Sequence, residues 1–195
     1  FLKIVKIKRI NDYFQVTLLL NLRQITINFE CFSEFEIHNK LCAIVMVFNE
    51  KLRQEHLTYL NDLKNPEGRL EKIYDKKRIR VYIDYAHTPE ALSKVLASLR
   101  KITLGKLFLV FGCGGDRDKT KRPRMTSYAL KYSDKIFITN DNPRFENPNK
   151  IRDDMLKGVD EKKLKKIVSI KDRSKAIEKA IKILKPDDLL LIAGK

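Results

Sequence analysis

The feature that most constrains the fold is a strict alternation of short apolar runs with helical-period stretches between Ile79 and Ala193. Ile79 to Asp84 reads as a strand. Pro89 to Lys101 reads as a helix with Leu92, Val95, Leu96 and Leu99 on one face and Pro89 in its first turn. Lys106 to Phe111 is a second strand, Arg124 to Tyr132 a helix, Asp134 to Thr139 a strand and Pro148 to Lys157 a helix. A short strand follows at Lys166 to Ile170. Ser174 to Leu184 then sets Ala176, Ile177, Ala180, Ile181 and Leu184 on one helical face, and Asp188 to Ala193 closes the series as an apolar strand. Strands joined by helical crossovers at this rhythm imply a mainly parallel sheet with helices on both faces.

The preceding stretch has a different grammar. Ile4 to Ile10, Phe14 to Leu20 and Gln24 to Phe29 alternate with period two, separated by turn signals at Asn11-Asp12 and Asn21, which predicts an antiparallel meander. Leu41 to Phe48 is apolar almost all round and reads as a buried helix, with a strand also allowed by periodicity. A polar helix is expected from Glu50 to Asn61. Asn65-Pro66-Glu67-Gly68 punctuates the chain, so the division expected is 1–65 and 66–195. The fold class is therefore α/β: a Rossmann-like, mainly parallel sheet preceded by a smaller unit built on an antiparallel meander.

With 43% hydrophobic residues among 195, the chain has enough apolar material for packed cores. No run approaches the ~18 apolar residues of a membrane-spanning helix. Phe1-Leu2-Lys3-Ile4 alternates, unlike an export signal, and begins in mid-strand as a fragment would. Cys31, Cys42 and Cys113 lack metal-ligand spacing and read as reduced packing thiols, in keeping with a cytoplasmic location. The net charge of +16 raises nucleic acid as a partner. The lysines are spread over nearly every segment, however, and form no stripe interleaved with aromatics, which disfavours that reading.

Loops after parallel strands share one edge of the sheet, and here they are polar. Phe111 through Pro123 is rich in glycine and in Arg117, Lys119, Lys121 and Arg122, which would ring a crevice with positive charge. Its spacing does not meet G-x-x-x-x-G-K-[ST], and neither does any other segment, so the chain carries no P-loop. Asp84 suits either a ribose or cation contact or a helix cap, a role Thr88 fills better. His87 reads as a structural hydrogen-bonder before a general base. Arg117 and Arg144 are guanidinium forks suited to carboxylates, with Asp141 and Asn142 as acceptors beside them, together able to hold a zwitterion; an Asx turn is the lesser alternative for Asp141-Asn142-Pro143.

Asp84-Tyr85-Ala86-His87-Thr88-Pro89, Phe111 to Pro123 and Asp141-Asn142-Pro143-Arg144, in this order, closely resemble the carboxyl-terminal domain of the Mur ligases, and within that family the members that add diaminopimelate. The resemblance is strong from about Pro66 to Lys195. Over 1–65 it is fainter and resembles the tail of the family's central ATP-binding domain. It implies ATP-dependent amide bond formation in peptidoglycan precursor synthesis: magnesium-bound ATP phosphorylates the carboxylate of a UDP-N-acetylmuramoyl dipeptide, and the amine of an amino acid attacks the acyl phosphate. By motif, Asn39 resembles an adenine-side residue, Arg69 a ribose- or phosphate-side arginine and Asp84 a ribose-side aspartate. Arg117, Asp141, Asn142, Arg144 and Gly194 match positions that hold the incoming amino acid. Arginine at 144 implies meso-diaminopimelate, since lysine would leave a guanidinium facing an ammonium.

Departures from the family pattern are Ser33-Glu34-Phe35-Glu36 where glycine and asparagine are usual near the phenylalanine, Thr120 where glycine is usual, and an end at Gly194-Lys195 before the family's Gly-His-Glu. The UDP-sugar domain and the P-loop are expected in missing domains of the same enzyme, so these residues alone are expected to catalyse nothing. A remnant that binds an amino acid without catalysis, and a basic nucleic-acid-binding domain, are the competing readings.

Overall fold

The computed structural model describes residues 1–10, 13–31 and 33–194. The chain divides into two compact units, Phe1–Asn65 and Pro66–Lys195.

In the first unit, β1 (Leu2–Ile10), β2 (Tyr13–Leu20) and β3 (Arg23–Phe29) pair antiparallel in that order. The alternation expected of a half-buried meander is clearest in β2, where Phe14, Val16, Leu18 and Leu20 are buried and their neighbours are not. The turn signal at Asn11-Asp12 lies outside the described residues; the second turn carries Asn21 and Leu22 at positive φ. α1 (Glu34–Phe48) seats Ile37, Leu41 and Ile44 in the same core as β2.

Three expectations for this unit need correction. α1 is one-sided, because it meets apolar neighbours on one face only: Met46 is 82% and Val47 75% exposed. Cys42 is exposed on it, whereas Cys31 is buried. The polar helix expected at 50–61 is two 3-10 turns, Asn49–Lys51 and Gln54–Leu60, tightened so that Leu57 and Leu60 both point into the core.

The second unit holds a six-stranded sheet of β4 (Glu71–Lys76), β5 (Ile79–Asp84), β6 (Leu107–Phe111), β7 (Lys135–Thr139), β8 (Ile167–Ile170) and β9 (Leu189–Ala193), ordered β4-β5-β9-β6-β7-β8. All pairs are parallel except β4 with β5. The last strand lies in the middle of the sheet. β6 and β9 are buried at every residue, which is why both read as unbroken apolar runs. β4 is the one strand the sequence did not signal. It is largely exposed, and its turn places Lys77 and Arg78 at positive φ without the usual Asn-Gly.

The crossovers are α2 (Pro89–Ile102), α3 (Lys121–Tyr132), α4 (Pro148–Leu156), the short α5 (Glu161–Leu164) and α6 (Arg173–Lys182). α2, α3 and α4 pack side by side, and Leu92, Val95, Leu96 and Leu99 of α2 are buried as the pattern requires. α6 covers the opposite face, where Ala176 and Ala180 meet Val81, Phe108, Val110, Phe137 and Leu190. Its apolar stripe is narrower than expected, since Ile181 is 49% exposed. Among the described residues no helix is long and apolar enough to cross a membrane.

Candidate functional site

The carboxyl ends of β5, β6, β7 and β9 release their loops at one edge, and these loops interlock through backbone contacts. Gly194 leaves β9 at φ +78° and donates its N–H to the Asp84 carbonyl at 3.0 Å. A Cβ built on Gly194 would stand 3.6 Å from the Gly112 carbonyl oxygen and 4.0 Å from Asp141 Oδ2, so three loops converge there. Gly115 donates its N–H to the Asn142 carbonyl at 2.9 Å, and a Cβ on it would fall 1.9 Å from the Pro143 carbonyl oxygen. Here glycine is required by close approach.

The edge encloses a cavity of about 640 Å³ lined by Arg117, Asp141, Asn142, Arg144 and Gly194, with Tyr85 and His87 at its side. All five residues expected to hold an amino acid are thus brought together. Arg144, at φ +48°, donates Nη1 to the Gly115 carbonyl at 2.7 Å, leaving other donors of the fork uncommitted. Arg117 has no hydrogen-bond or ion-pair partner among the described residues. Asp141 Oδ1 accepts the Asn142 N–H at 2.8 Å and Asn142 Oδ1 accepts the Arg144 N–H at 3.2 Å. The side chains thus bond locally, as the Asx-turn reading expects, and each keeps further lone pairs.

Asp84 is neither free nor a helix cap. Its Oδ2 accepts the Leu70 N–H and its Oδ1 the Ala86 N–H, each at 2.8 Å, tying the segment before β4 to the turn after β5. Burial pushes its carboxyl above the usual range, against the pull of these bonds and of Arg69. Thr88 caps α2 by accepting the Ala91 N–H. The Arg69 guanidinium lies 4.5 Å from the Tyr85 ring centre, and Tyr85 meets His87 edge-on. His87 Nδ1 is bonded to the Tyr85 carbonyl, the structural role expected for it. Asn39 is exposed on α1 in the other unit.

Glu36, in the stretch that departs from the family pattern, is a buried tie: it accepts from Ser33 Oγ at 3.0 Å and Asn65 Nδ2 at 2.8 Å. Thr120, where glycine is usual, donates its N–H and hydroxyl to Asp118, and these bonds hold that carboxyl below its ordinary value.

Arg122 overturns one expectation. It does not ring the crevice; its side chain is 0% exposed and points inward to Glu146 and Asp154. α3 also begins at Lys121, a turn earlier than expected, which carries Arg122 into the core. Glu146, Asp154 and Arg173 went unnoticed in the sequence, where each looks like an ordinary surface charge. Arg173 donates Nη2 to the Ala193 carbonyl at 3.0 Å, bracing the residue before Gly194, while its Nη1 is buried without a partner among the described residues. Among the described residues no group of His, Cys, Asp or Glu side chains could hold a metal ion.

Fold and edge together define a doubly wound α/β domain whose strand-end loops surround a polar cavity. The chain belongs to the Mur ligase family: the model of the Mur ligase glutamate ligase domain matches residues 68–195. A curated relative from Prochlorococcus marinus subsp. pastoris, UDP-N-acetylmuramoyl-L-alanyl-D-glutamate–2,6-diaminopimelate ligase, is 45% identical over 169 residues, covering 83% of this chain and 33% of the relative. The ligase of the same name from Lawsonia intracellularis is 50% identical over 128 residues, 66% of this chain and 26% of that protein. The chain thus spans about a quarter to a third of the length of these relatives. A solved structure bearing that ligase name aligns over 98% of this chain and 39% of its own with a TM-score of 0.66 at 31% identity. Mycobacterium tuberculosis folylpolyglutamate synthase complexed with ADP aligns over 100% of this chain and 45% of its own with a TM-score of 0.76, and at 18% identity it shows shared fold alone.

Proposed function

We propose that this chain is the amino-acid-binding part of a cytoplasmic ligase that adds meso-diaminopimelate to UDP-N-acetylmuramoyl-L-alanyl-D-glutamate at the expense of ATP. The observation that carries the reading is the joint presence of Arg117, Arg144, Asp141 and Gly194 around one cavity. A ligand with two carboxylates and two ammonium groups matches two guanidinium forks and a carboxylate. Lysine would leave one fork without an anion.

In the reaction so read, a carboxylate oxygen of the dipeptide attacks the γ-phosphorus, ADP leaves, and the amine nitrogen then attacks the acyl carbon with release of phosphate. The residues of this chain contribute position: held by its carboxylates, the amine is presented in one orientation, which replaces a bimolecular encounter with a local one. Arg69, whose guanidinium lies over the Tyr85 ring and near the Asp84 carboxyl, and Asn39 are assigned to the nucleotide. Asp84, with both oxygens already accepting backbone N–H groups, contacts a ribose only through its remaining lone pairs. Magnesium is assigned to the nucleotide phosphates, for which this sequence carries no P-loop spacing. By itself the chain is assigned binding without ligation.

Two measurements test this. Ligation by the ligase that contains this chain is assayed with diaminopimelate and with lysine, and incorporation of lysine alone would refute the assignment. Calorimetry of the 195-residue chain with meso-diaminopimelate asks whether recognition resides here, and absence of heat would count against it.

A further inference from the structure

Glu146 belongs to none of the residues assigned above to a ligand, yet it joins both arginine-bearing loops. Its Oε1 accepts the Asp116 N–H at 2.6 Å and Arg122 Nη2 at 2.8 Å, and its Oε2 accepts Arg122 Nη1 at 3.0 Å. Asp154 takes the same Nη1 at 2.9 Å from α4, and Lys119 Nζ lies 3.6 Å from Glu146. Asp116, at φ +49°, directly precedes Arg117, and its Oδ2 accepts the Phe145 N–H at 3.0 Å. Phe145 directly follows Arg144. The residue before one guanidinium is therefore strapped to the two residues that follow the other, accepting from the Phe145 N–H and donating its own N–H to Glu146.

We infer that Glu146, anchored by Arg122, is a positioning residue that fixes the spacing of Arg117 and Arg144 and thereby the preference for an amino acid with two carboxylates. The inference rests on the diaminopimelate reading. Two guanidinium groups lining one cavity repel each other, and a loop free to relax would part them. A carboxylate behind both loops opposes that relaxation. One carboxylate needs one fork at any spacing; two carboxylates need both forks at one spacing, so a loosened strap costs affinity for the second kind of ligand alone. The ion pair carries this role because Arg122 is wholly buried and holds Glu146 with a planar two-point fork.

The test uses the 195-residue chain, labelled with nitrogen-15 and titrated with meso-diaminopimelate and with L-lysine. In Glu146→Gln the affinity for diaminopimelate falls about tenfold or more, lysine binding is unchanged, and the Asp116 and Phe145 amides exchange faster. Asp154→Asn weakens the same buried cluster from the side away from the loops. It lowers the unfolding temperature, keeps diaminopimelate affinity within about twofold and leaves the Asp116 amide protected. Should E146Q fail to fold, Asp116→Gly suits the positive φ and removes only the carboxylate on Phe145; its diaminopimelate affinity falls while lysine binding does not. Unchanged diaminopimelate affinity in the strap variants, or an equal loss in D154N, overturns the inference. A wild-type chain that does not prefer diaminopimelate to lysine overturns the reading beneath it, and that outcome is seen before any variant is made.

Discussion

The Arg144 guanidinium and the Gly115 carbonyl are joined by a 2.7 Å hydrogen bond, so the arginine assigned to sorting the ligand is held by the backbone of the glycine-rich loop opposite. A side chain on an exposed loop would otherwise sample many rotamers. Here one donor of the fork is spent to aim the rest, which lowers the ordering cost when a carboxylate arrives.

Replacing that fork with a point charge is the direct test. Arg144→Lys keeps the charge and loses both the bidentate geometry and the Gly115 bond. Diaminopimelate affinity is expected to fall about 10- to 100-fold, the equivalent of one lost charge-assisted contact, with lysine affinity little changed. Parallel calorimetric titrations with the two amino acids measure this.

Gly115→Ala addresses the loop junction. The new Cβ would stand 1.9 Å from a backbone oxygen, which cannot swing away as a side-chain tip would. The two loops must separate, and the Gly115 to Asn142 bond is lost with them. A destabilisation of about 1–3 kcal/mol is expected from denaturant midpoints, together with loss of diaminopimelate binding. Full retention of both would contradict the packing described.

Asp84→Asn places an amide donor where one of two backbone N–H groups now finds a carboxylate oxygen. The expected cost is about 1–3 kcal/mol. Hydrogen exchange should localise the change to the Leu70 and Ala86 amides, whose acceptor Asp84 is.

Acid stability should follow Glu146. The Arg122 fork holds its carboxyl down at about 2, against an ordinary 4.5. A depressed folded-state value stabilises the protein above the unfolded value, and that contribution is lost as pH falls from about 4.5 through about 2. Asp84, raised by burial, runs the opposite way, its contribution declining as pH rises through its titration. Thermal unfolding from pH 6 to pH 2 should therefore show a steeper acid loss in the wild type than in Glu146→Gln.

Legibility in the sequence followed locality. The strands at 79–84, 107–111, 135–139 and 189–193 announce themselves because buried parallel strands must be apolar throughout, and α2 because its four buried residues repeat at helical spacing. The loop motifs mark an edge before any sheet is drawn. β4 escaped notice because an exposed edge strand has no apolar face to betray it, and its turn uses Lys77 and Arg78 in conformations glycine or asparagine usually takes.

By itself, then, the sequence determined the alternation of elements, the family and the residues gathered around the cavity, since each rests on neighbours a few positions apart. Tertiary structure decided what depends on distant partners. It inserted β9 between β5 and β6, which is how Gly194 comes to face Asp141. It also turned Arg122 from an apparent surface cation into a buried anchor, because its counter-charges Glu146 and Asp154 lie 24 and 32 residues away. A charge is buried only where paired, and no local pattern reveals a partner that folding alone brings near.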